Sequence, residues 1–301
     1  MAKNDFEVII IGGSYAGLSA AMALGRALRK VLIIDSGLPC NRQTPHSHNF
    51  ITQDGEEPGV IAKKAREQLL QYDTVSFVNG LAKRGTRTEN VFSITTQNDE
   101  VFTTKKLIFA TGIKDIMPAI EGFSACWGIS VIHCPYCHGY EVRNEKTGIL
   151  ANGDIAFHYA QLIRNWTKDL TIFTNGKSTL SKEQLEKLAE HQIPVVETEI
   201  SHIKHKEGAL EQVVFNDKSA IALKAVYARP DFEQHCKIPQ QLGCELTEQG
   251  FLTVNMFQKT TVDGIFACGD NSSPLRAVSH AVATGTIAGA ALNNEMTEEE
   301  F

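Results

Sequence analysis

A glycine-containing turn close to the start of the chain constrains the fold more than any other feature. Residues 6–12 read FEVIIIG, a β-branched run typical of a buried strand, and GSYAGLSAAMALGRALRK then carries Ala and Leu at helical spacing. The next apolar run, VLIID, ends on Asp35. Strand, glycine turn, helix and strand form a βαβ unit of the type that binds dinucleotides. The sequence therefore predicts an α/β fold.

The turn carries residues suited to a pyrophosphate. Gly12 permits a tight turn, Gly17 lets the helix pack closely on the strands, and main-chain N–H groups at the helix start would hold the pyrophosphate. The middle glycine of the usual pattern is replaced by Ser14, although Gly13 beside it keeps the loop small. Asp35 could accept hydrogen bonds from an adenosine ribose. An ordinary βα turn is the alternative, but the complete unit favours nucleotide binding.

A second strand–helix–strand pattern follows about 140 residues later, in KTGILANG, DIAFHYAQLIRNW and DLTIFT. Its ligand signal is weaker than that of the first unit. Ala151 replaces the first glycine, and the second strand ends on Thr174 rather than on an acid. No arginine follows to hold a 2′-phosphate, and only Lys177 is close. We therefore expect a second domain of nucleotide-binding type that binds NAD(P)H poorly.

The chain also contains a Cys-x-x-Cys pair, Cys134 and Cys137, within HCPYCHGYE. The pair could be a glutaredoxin active site, half of a zinc site with its flanking histidines, or the redox dithiol of a larger enzyme. A glutaredoxin carries its cysteines near the N-terminus, whereas these lie between the two nucleotide units. Tetrahedral zinc needs more ligands, and the sequence has no second Cys-x-x-Cys. We predict a redox dithiol and no metal site.

The composition excludes several classes of protein. Among 301 residues, 43% are hydrophobic and 21% charged, so the chain can form one large domain or two ordinary ones. A net charge of −6 argues against nucleic-acid binding, which needs a concentrated basic surface. No apolar run reaches the roughly 18 residues that span a bilayer, and MAKNDFEVIIIGG has no cationic, apolar leader. With seven dispersed cysteines, this favours a cytoplasmic protein without a membrane partner.

The order of these features resembles the low-molecular-weight thioredoxin reductases and their flavoprotein relatives. The matching pieces are IIIGGSYAGLSAA, LIFATG, CPYCHGYE directly before the second βαβ unit, and GIFACGD near the end, so the resemblance covers essentially the whole chain. It implies two Rossmann-like nucleotide-binding domains, the second inserted into the first. An FAD-binding domain would comprise residues 1–115 and 246–301, and an NAD(P)H-type domain with the cysteine pair would comprise residues 116–245. The resemblance also implies a homodimer.

The resemblance assigns FAD contacts to five sites in the first domain. They are Gly12, Gly13, Ser14, Ala16 and Gly17 at the pyrophosphate, Asp35 at the adenosine ribose, Ala110, Thr111 and Gly112 at the end of the LIFATG strand, Gly269 and Asp270 at the ribityl chain, and Arg276, Ala277 and Val278 at a helix start against the flavin.

The resemblance also implies that the two cysteines have different roles. Cys137 would contact the flavin, and Cys134 would exchange with the external thiol or disulfide. His138 stands where many reductases of the family have an acid, and it could act as the general acid–base that serves the thiolates. A structural role at a helix start is the alternative for His138. We expect Cys126, Cys236, Cys244 and Cys268 to be small buried apolar residues.

The motif CPYCHGYE is similar to that of dithiol oxidases that close disulfides in sulfur-containing natural products. In that branch, electrons would pass from a substrate dithiol through the cysteine pair to FAD and then to oxygen. The commoner family activity runs from NADPH through FAD to a disulfide in a thioredoxin-like protein. We therefore expect an FAD-dependent thiol/disulfide oxidoreductase acting on a small dithiol or disulfide, or on a thioredoxin-like protein. An NAD(P)H oxidase with incidental cysteines is a further alternative.

Overall fold

The computed structural model describes residues 5–301, so the first four residues of the N-terminal stretch discussed above lie outside it. The chain divides into two compact units. Unit 1 contains the chain up to Arg42 together with Asn49–Lys114 and Phe232–Phe301, and unit 2 contains Gln43–His48 and Asp115–Asp231. The second return to unit 1 falls after Asp231, and the boundary that the resemblance implied lies after residue 245.

Unit 1 contains both strands and helices. They are β1 (Asp5–Ile11), α1 (Tyr15–Arg26), β2 (Val31–Asp35), α2 (Pro58–Leu69), β3 (Val75–Asn79), β4 (Ala82–Thr88), β5 (Val91–Thr96), β6 (Val101–Phe109), β7 (Ile113–Asp115, whose last residue begins unit 2), β16 (Phe232–Gln234), α7 (Ile238–Gln241), β17 (Ile265–Ala267) and α8 (Val278–Glu300).

One sheet forms the centre of unit 1, with strand order β3-β2-β1-β6-β5-β4 and β17 paired to β6. Strands β3, β2, β1, β6 and β17 run parallel, whereas β4 and β5 form an antiparallel extension. The apolar run of β1 has no exposed surface at Val8, Ile9 or Ile10, as expected of a strand covered on both faces. The predicted βαβ unit is confirmed in this sheet.

Helix α8 packs against α1 through small residues. A Cβ atom on Gly285 would overlap the carbonyl oxygen of Ala16, and one on Gly289 would crowd that of Ala20. The Ala- and Gly-rich sequence of this last helix therefore allows its backbone to approach that of α1 closely.

Residues 232–245 belong to unit 1 because they enter its core. Ile238 and Cys244 are buried in the same apolar cluster as Ile9, Phe92 and Leu107. The family resemblance had implied that this segment is part of the inserted domain.

The elements of unit 2 form two sheets and four helices. They are α3 (Phe123–Cys126), β8 (Val131–Ile132), α4 (Pro135–His138), β9 (Thr147–Leu150), α5 (Gly153–Ile163), β10 (Leu170–Phe173), α6 (Lys182–Glu190), β11 (Val195–Val196), β12 (Ile200–Lys206), β13 (Ala209–Phe215), β14 (Ala220–Ala222) and β15 (Ala225–Ala228).

The main sheet of unit 2 is parallel, with order β11-β10-β9-β15-β8, and a smaller antiparallel sheet has order β12-β13-β14. One apolar cluster joins the parallel sheet to α5, and a second joins it to the antiparallel strands. The second predicted βαβ unit is thus present as β9, α5 and β10. In the described part of the chain, no helix has the length and apolar character needed to cross a membrane.

Candidate cofactor and redox sites

The first glycine turn lies tightly between β1, α1 and the end of β6. Gly12 has φ of +105°, and a Cβ atom there would overlap the carbonyl oxygen of Ala110. A Cβ on Gly17 would overlap the carbonyl oxygen of Gly12. Both positions therefore require glycine, and they leave main chain, rather than side chains, facing the turn.

The start of α1 offers main-chain donors to an anion. The helix begins at Tyr15, and Ser14, its N-cap, makes no side-chain hydrogen bond to the first turn. The N–H groups of a first helical turn have no partner within the helix, and the helix dipole makes that end positive. Gly13 donates its N–H to Oδ1 of Asp35 at 3.0 Å, which holds this acid beside the turn.

A third segment, residues 269–278, belongs to the same unit. Gly269 has φ of +82°, and its missing Cβ would lie 3.0 Å from the Cβ of Ala16. Asp270 Oδ2 lies 3.8 Å from Nε of Arg276, and both side chains are largely buried. Helix α8 begins at Val278 with Ala277 as its N-cap, where the sequence placed a helix start.

Asn271 is a residue that the sequence analysis missed. It is fully buried, and its Nδ2 donates to the carbonyl oxygen of Phe109 at 2.8 Å and to Oγ1 of Thr111 at 3.3 Å. It thereby ties the segment after Gly269 to the Ala110–Gly112 strand end. Its position directly after Gly269 and Asp270 is the one feature of the sequence that could have indicated a role for Asn271 at this site.

Unit 1 thus fits an adenine dinucleotide with a flavin. The glycine turn, where any side chain would fill the space, lies beside the start of α1 and the acid at the end of β2. The 269–278 segment adds buried polar groups.

The cysteine pair lies at the start of the short helix α4. Cys134 is the N-cap and Pro135 is the first helical residue, a position where proline is favoured. The N–H of His138 donates to the carbonyl oxygen of Cys134 at 3.2 Å, which closes one helical turn. This turn places the two Sγ atoms 2.6 Å apart. A disulfide can therefore form and open with little movement of the backbone.

His138 lies next to the pair and is half-buried. Burial lowers the pKa of its imidazole, and the positive charge that His48 can carry lowers it further, while the carboxylate of Glu141 raises it. His48 Nε2 lies 3.6 Å from Oε1 of Glu141. The imidazole of His138 is accordingly neutral near pH 7, the form that accepts a proton from a thiol.

A model of the pyridine nucleotide-disulphide oxidoreductase family matches residues 6–285. The chain belongs to this family. Thioredoxin reductase sirT of Leptosphaeria maculans is 32% identical, over 96% of this chain and 93% of the relative. Thioredoxin reductase aclD of Aspergillus oryzae is also 32% identical, over 100% and 99% of the two chains. The crystal structure of an oxidoreductase from Agrobacterium tumefaciens is 38% identical and superposes with a TM-score of 0.91, covering 98% and 99%.

The family assignment settles the class of chemistry. The protein is an enzyme, a thioredoxin-reductase-like oxidoreductase of a flavoprotein family whose members typically bind FAD. The expected α/β fold is confirmed by the likeness to solved thioredoxin reductase structures.

The second glycine turn of this oxidoreductase is occupied by its own side chains. Asn152 caps α5, and its Oδ1 accepts from the N–H of Gly153 at 2.8 Å and from N and Oγ1 of Thr179 at 2.9 and 3.2 Å. Its Nδ2 donates to the carbonyl oxygen of Lys177 at 2.9 Å. Asp154 adds a carboxylate in the first turn of the helix.

His48 and Glu141 are further residues that the sequence analysis missed. The segment Gln43–His48 belongs to unit 2, although the chain on both sides of it belongs to unit 1. Gln43 Nε2 donates to the carbonyl oxygen of Ser124 at 3.4 Å. The two histidines in PHSHNF were the only feature of the sequence that could have drawn attention to His48, and they did not indicate that it lies close to Glu141.

The remaining cysteines are mostly buried. Cys126, Cys244 and Cys268 are buried as expected, and burial raises the pKa of all three thiols, that of Cys268 to about 12. Cys236 is only partly buried. Within residues 5–301, no group of three or more His, Cys, Asp or Glu side chains is arranged to hold a metal ion.

Proposed function

We propose that this oxidoreductase binds FAD in unit 1 and passes electrons between FAD and the Cys134–Cys137 pair, which exchanges with an external thiol substrate. The closely spaced sulfur atoms of the pair, with His138 directly after Cys137, are the observation that carries the proposal, and burial lowers the pKa of the His138 imidazole. In this proposal, Cys137 exchanges electrons with the flavin, and Cys134 forms the mixed disulfide with the substrate. The first glycine turn, Asp35 and Asp270 support the FAD assignment.

We further propose that the favoured direction runs from a small substrate dithiol to FAD and then to oxygen. The closed start of α5 supports this direction, because Asn152 and Thr179 fill the place where the pyrophosphate of NAD(P)H would meet main-chain N–H groups. The carboxylate of Asp154 would also repel a phosphate there. The similarity of CPYCHGYE to the motif of dithiol oxidases agrees with this assignment.

The reaction divides into two exchange steps. A substrate thiolate, whose proton His138 accepts, attacks Cys134. The new bond joins the substrate sulfur to Cys134, the Cys134–Cys137 bond breaks, and its electron pair remains on Cys137. The second substrate thiol releases its proton to solvent, its thiolate attacks the first substrate sulfur, and Cys134 leaves as a thiolate. Bound FAD would accept the two electrons of the reduced pair as the Cys134–Cys137 bond re-forms, and oxygen would then take up these two electrons and the two protons to give hydrogen peroxide.

A second candidate is an NADPH-dependent disulfide reductase that acts on a thioredoxin-like protein. The names of the relatives, thioredoxin reductases at 32% identity over nearly the whole chain, favour it. Under either candidate, we expect a homodimer and a cytoplasmic location.

Anaerobic stopped-flow mixing of the FAD-loaded protein with dithiothreitol, NADPH or NADH separates these functions. We expect dithiothreitol to bleach the flavin rapidly, NADPH to bleach it slowly, and oxygen to restore the colour with release of peroxide. Rapid bleaching by NADPH would assign the reductase activity instead. Continued NAD(P)H oxidation by a Cys134→Ser, Cys137→Ser double variant would show that the cysteines are incidental.

A further inference from the structure

Tyr227 is a buried tyrosine beneath the cysteine pair of unit 2. It lies in β15, paired with Ile132 of β8 and with Ile149 of β9, and only 1% of its surface is exposed. Registered partners on neighbouring strands share one face of a sheet, and the ring packs in the same apolar cluster as Ile132, Ile149 and Tyr159. Since Ile132 precedes Cys134 by two residues, the strand register brings Tyr227 to the redox pair.

The hydroxyl of Tyr227 has no hydrogen-bond partner among residues 5–301. The neighbouring Tyr159 differs, because its hydroxyl donates to the carbonyl oxygen of His133 at 3.3 Å. Buried polar atoms are nearly always paired, and phenylalanine would fill the same apolar space without leaving a buried hydroxyl unpaired. A purely structural role therefore does not explain the hydroxyl of Tyr227.

The titratable groups close enough to influence the pKa of this hydroxyl are Cys134, Glu141 and Tyr159. Burial raises the pKa of Tyr227 strongly, and the negative charges that these neighbours can carry raise it further, Cys134 most among them. The phenol thus remains protonated at every pH where a thiol enzyme works. It is a permanent hydrogen-bond donor placed near Cys134.

We propose that the Tyr227 hydroxyl donates a hydrogen bond to the Cys134 thiolate whenever the Cys134–Cys137 bond is open. This assignment rests on the proposed function, in which Cys134 is the sulfur that exchanges with substrate. Cys134 carries negative charge when it leaves the mixed disulfide, and in the opposite direction when it attacks a substrate disulfide. A donor that stabilises this thiolate makes it a better leaving group. Tyr227 is a positioning residue, because it transfers no proton and acts through Cys134.

Alkylation of Cys134 tests the hydrogen bond without relying on turnover. The reduced, FAD-loaded protein is treated with iodoacetamide across a range of pH, and modification of the Cys134 peptide is followed by mass spectrometry. In Tyr227→Phe we expect the midpoint pH of alkylation to rise by about one unit, because the thiolate loses a donor. The matched control Tyr159→Phe also loses one buried hydroxyl, and its midpoint should stay at the wild-type value.

An unchanged midpoint in Tyr227→Phe would overturn the proposal. The proposal would also be overturned if the pKa of His138 shifts in Tyr227→Phe while the alkylation midpoint of Cys134 does not. The hydroxyl would then donate to Glu141 rather than to Cys134. Failure of the proposed function gives a different result. Dithiols would then not reduce the flavin of the wild-type protein, although the alkylation midpoint would still shift in Tyr227→Phe.

Discussion

At the scale of single residues, the surroundings of His138 decide how the cysteine pair handles protons. Burial makes the imidazole easier to deprotonate, and Glu141 partly opposes this effect. Glu141 also lies 3.6 Å from His48, which comes from a distant part of the sequence. The sequence could identify His138, because it follows the second cysteine. It could not identify His48, since no local pattern shows that Gln43–His48 packs with unit 2.

Replacing Glu141 should change the pH dependence of the dithiol half-reaction. In Glu141→Gln, the pKa of His138 loses the carboxylate that raises it and falls further. The neutral base then persists to lower pH, so the acid limb of the rate of flavin reduction should move down by about half to one pH unit. Single-turnover stopped-flow measurements at a series of pH values check this shift.

His138→Ala is the companion variant for this measurement. It should slow flavin reduction by about 10²- to 10⁴-fold, the range typical of a lost general acid–base group, and should abolish the acid limb. A wild-type rate in His138→Ala would mean that the histidine has only a structural role at the end of the short helix α4. An unshifted limb in Glu141→Gln would show that the carboxylate does not influence the base.

At the scale of elements, the apolar periods of the sequence predict both βαβ units. The two units differ at their glycine turns, and individual side chains cause that difference. Ala151 in place of the first glycine indicated that the second turn is altered, but nothing in the sequence indicated that Asn152 and Thr179 close it. That closure depends on the loop Asn175–Leu180 returning to α5, which is a tertiary contact. Tyr227 was missed for a similar reason, because AVYA simply resembles a buried strand.

Asn152→Ala should destabilise unit 2. It removes four hydrogen bonds, including the cap on the first N–H of α5, so the free energy of unfolding should fall by about 1–2 kcal/mol. Both tryptophans, Trp127 and Trp166, belong to unit 2, so the urea dependence of tryptophan fluorescence follows the unfolding of this unit. Ser181→Ala, which removes the cap of α6 in the same unit, is the matched control.

The two cap variants separate the loop closure from ordinary capping. Ser181→Ala should cost about 1 kcal/mol, because one side-chain cap is lost. Asn152→Ala should cost more, since Thr179 and Lys177 also lose their partner. Equal unfolding midpoints for wild type and Asn152→Ala would show that the second turn is not held by this side chain.

At the scale of the whole molecule, the order of motifs carried more information than any one of them. A glycine turn, a strand ending in Ala-Thr-Gly, a cysteine pair before a second βαβ unit and a late Gly-Asp together pointed to the family that the comparison then showed. The resemblance implied a return to the first domain at residue 246, whereas unit 1 includes the chain from Phe232 onward, with α7 in this segment.

The central claim is that the Cys134–Cys137 pair exchanges electrons with bound FAD, and the absorbance spectra of the two single variants test it most directly. Cys134→Ser keeps the sulfur assigned to the flavin, so the FAD-loaded variant should show a long-wavelength charge-transfer band that disappears when the Cys137 thiolate is protonated. Cys137→Ser should show no such band. A band only in Cys137→Ser would exchange the roles of the two sulfurs, and the absence of the band from both variants would contradict the claim.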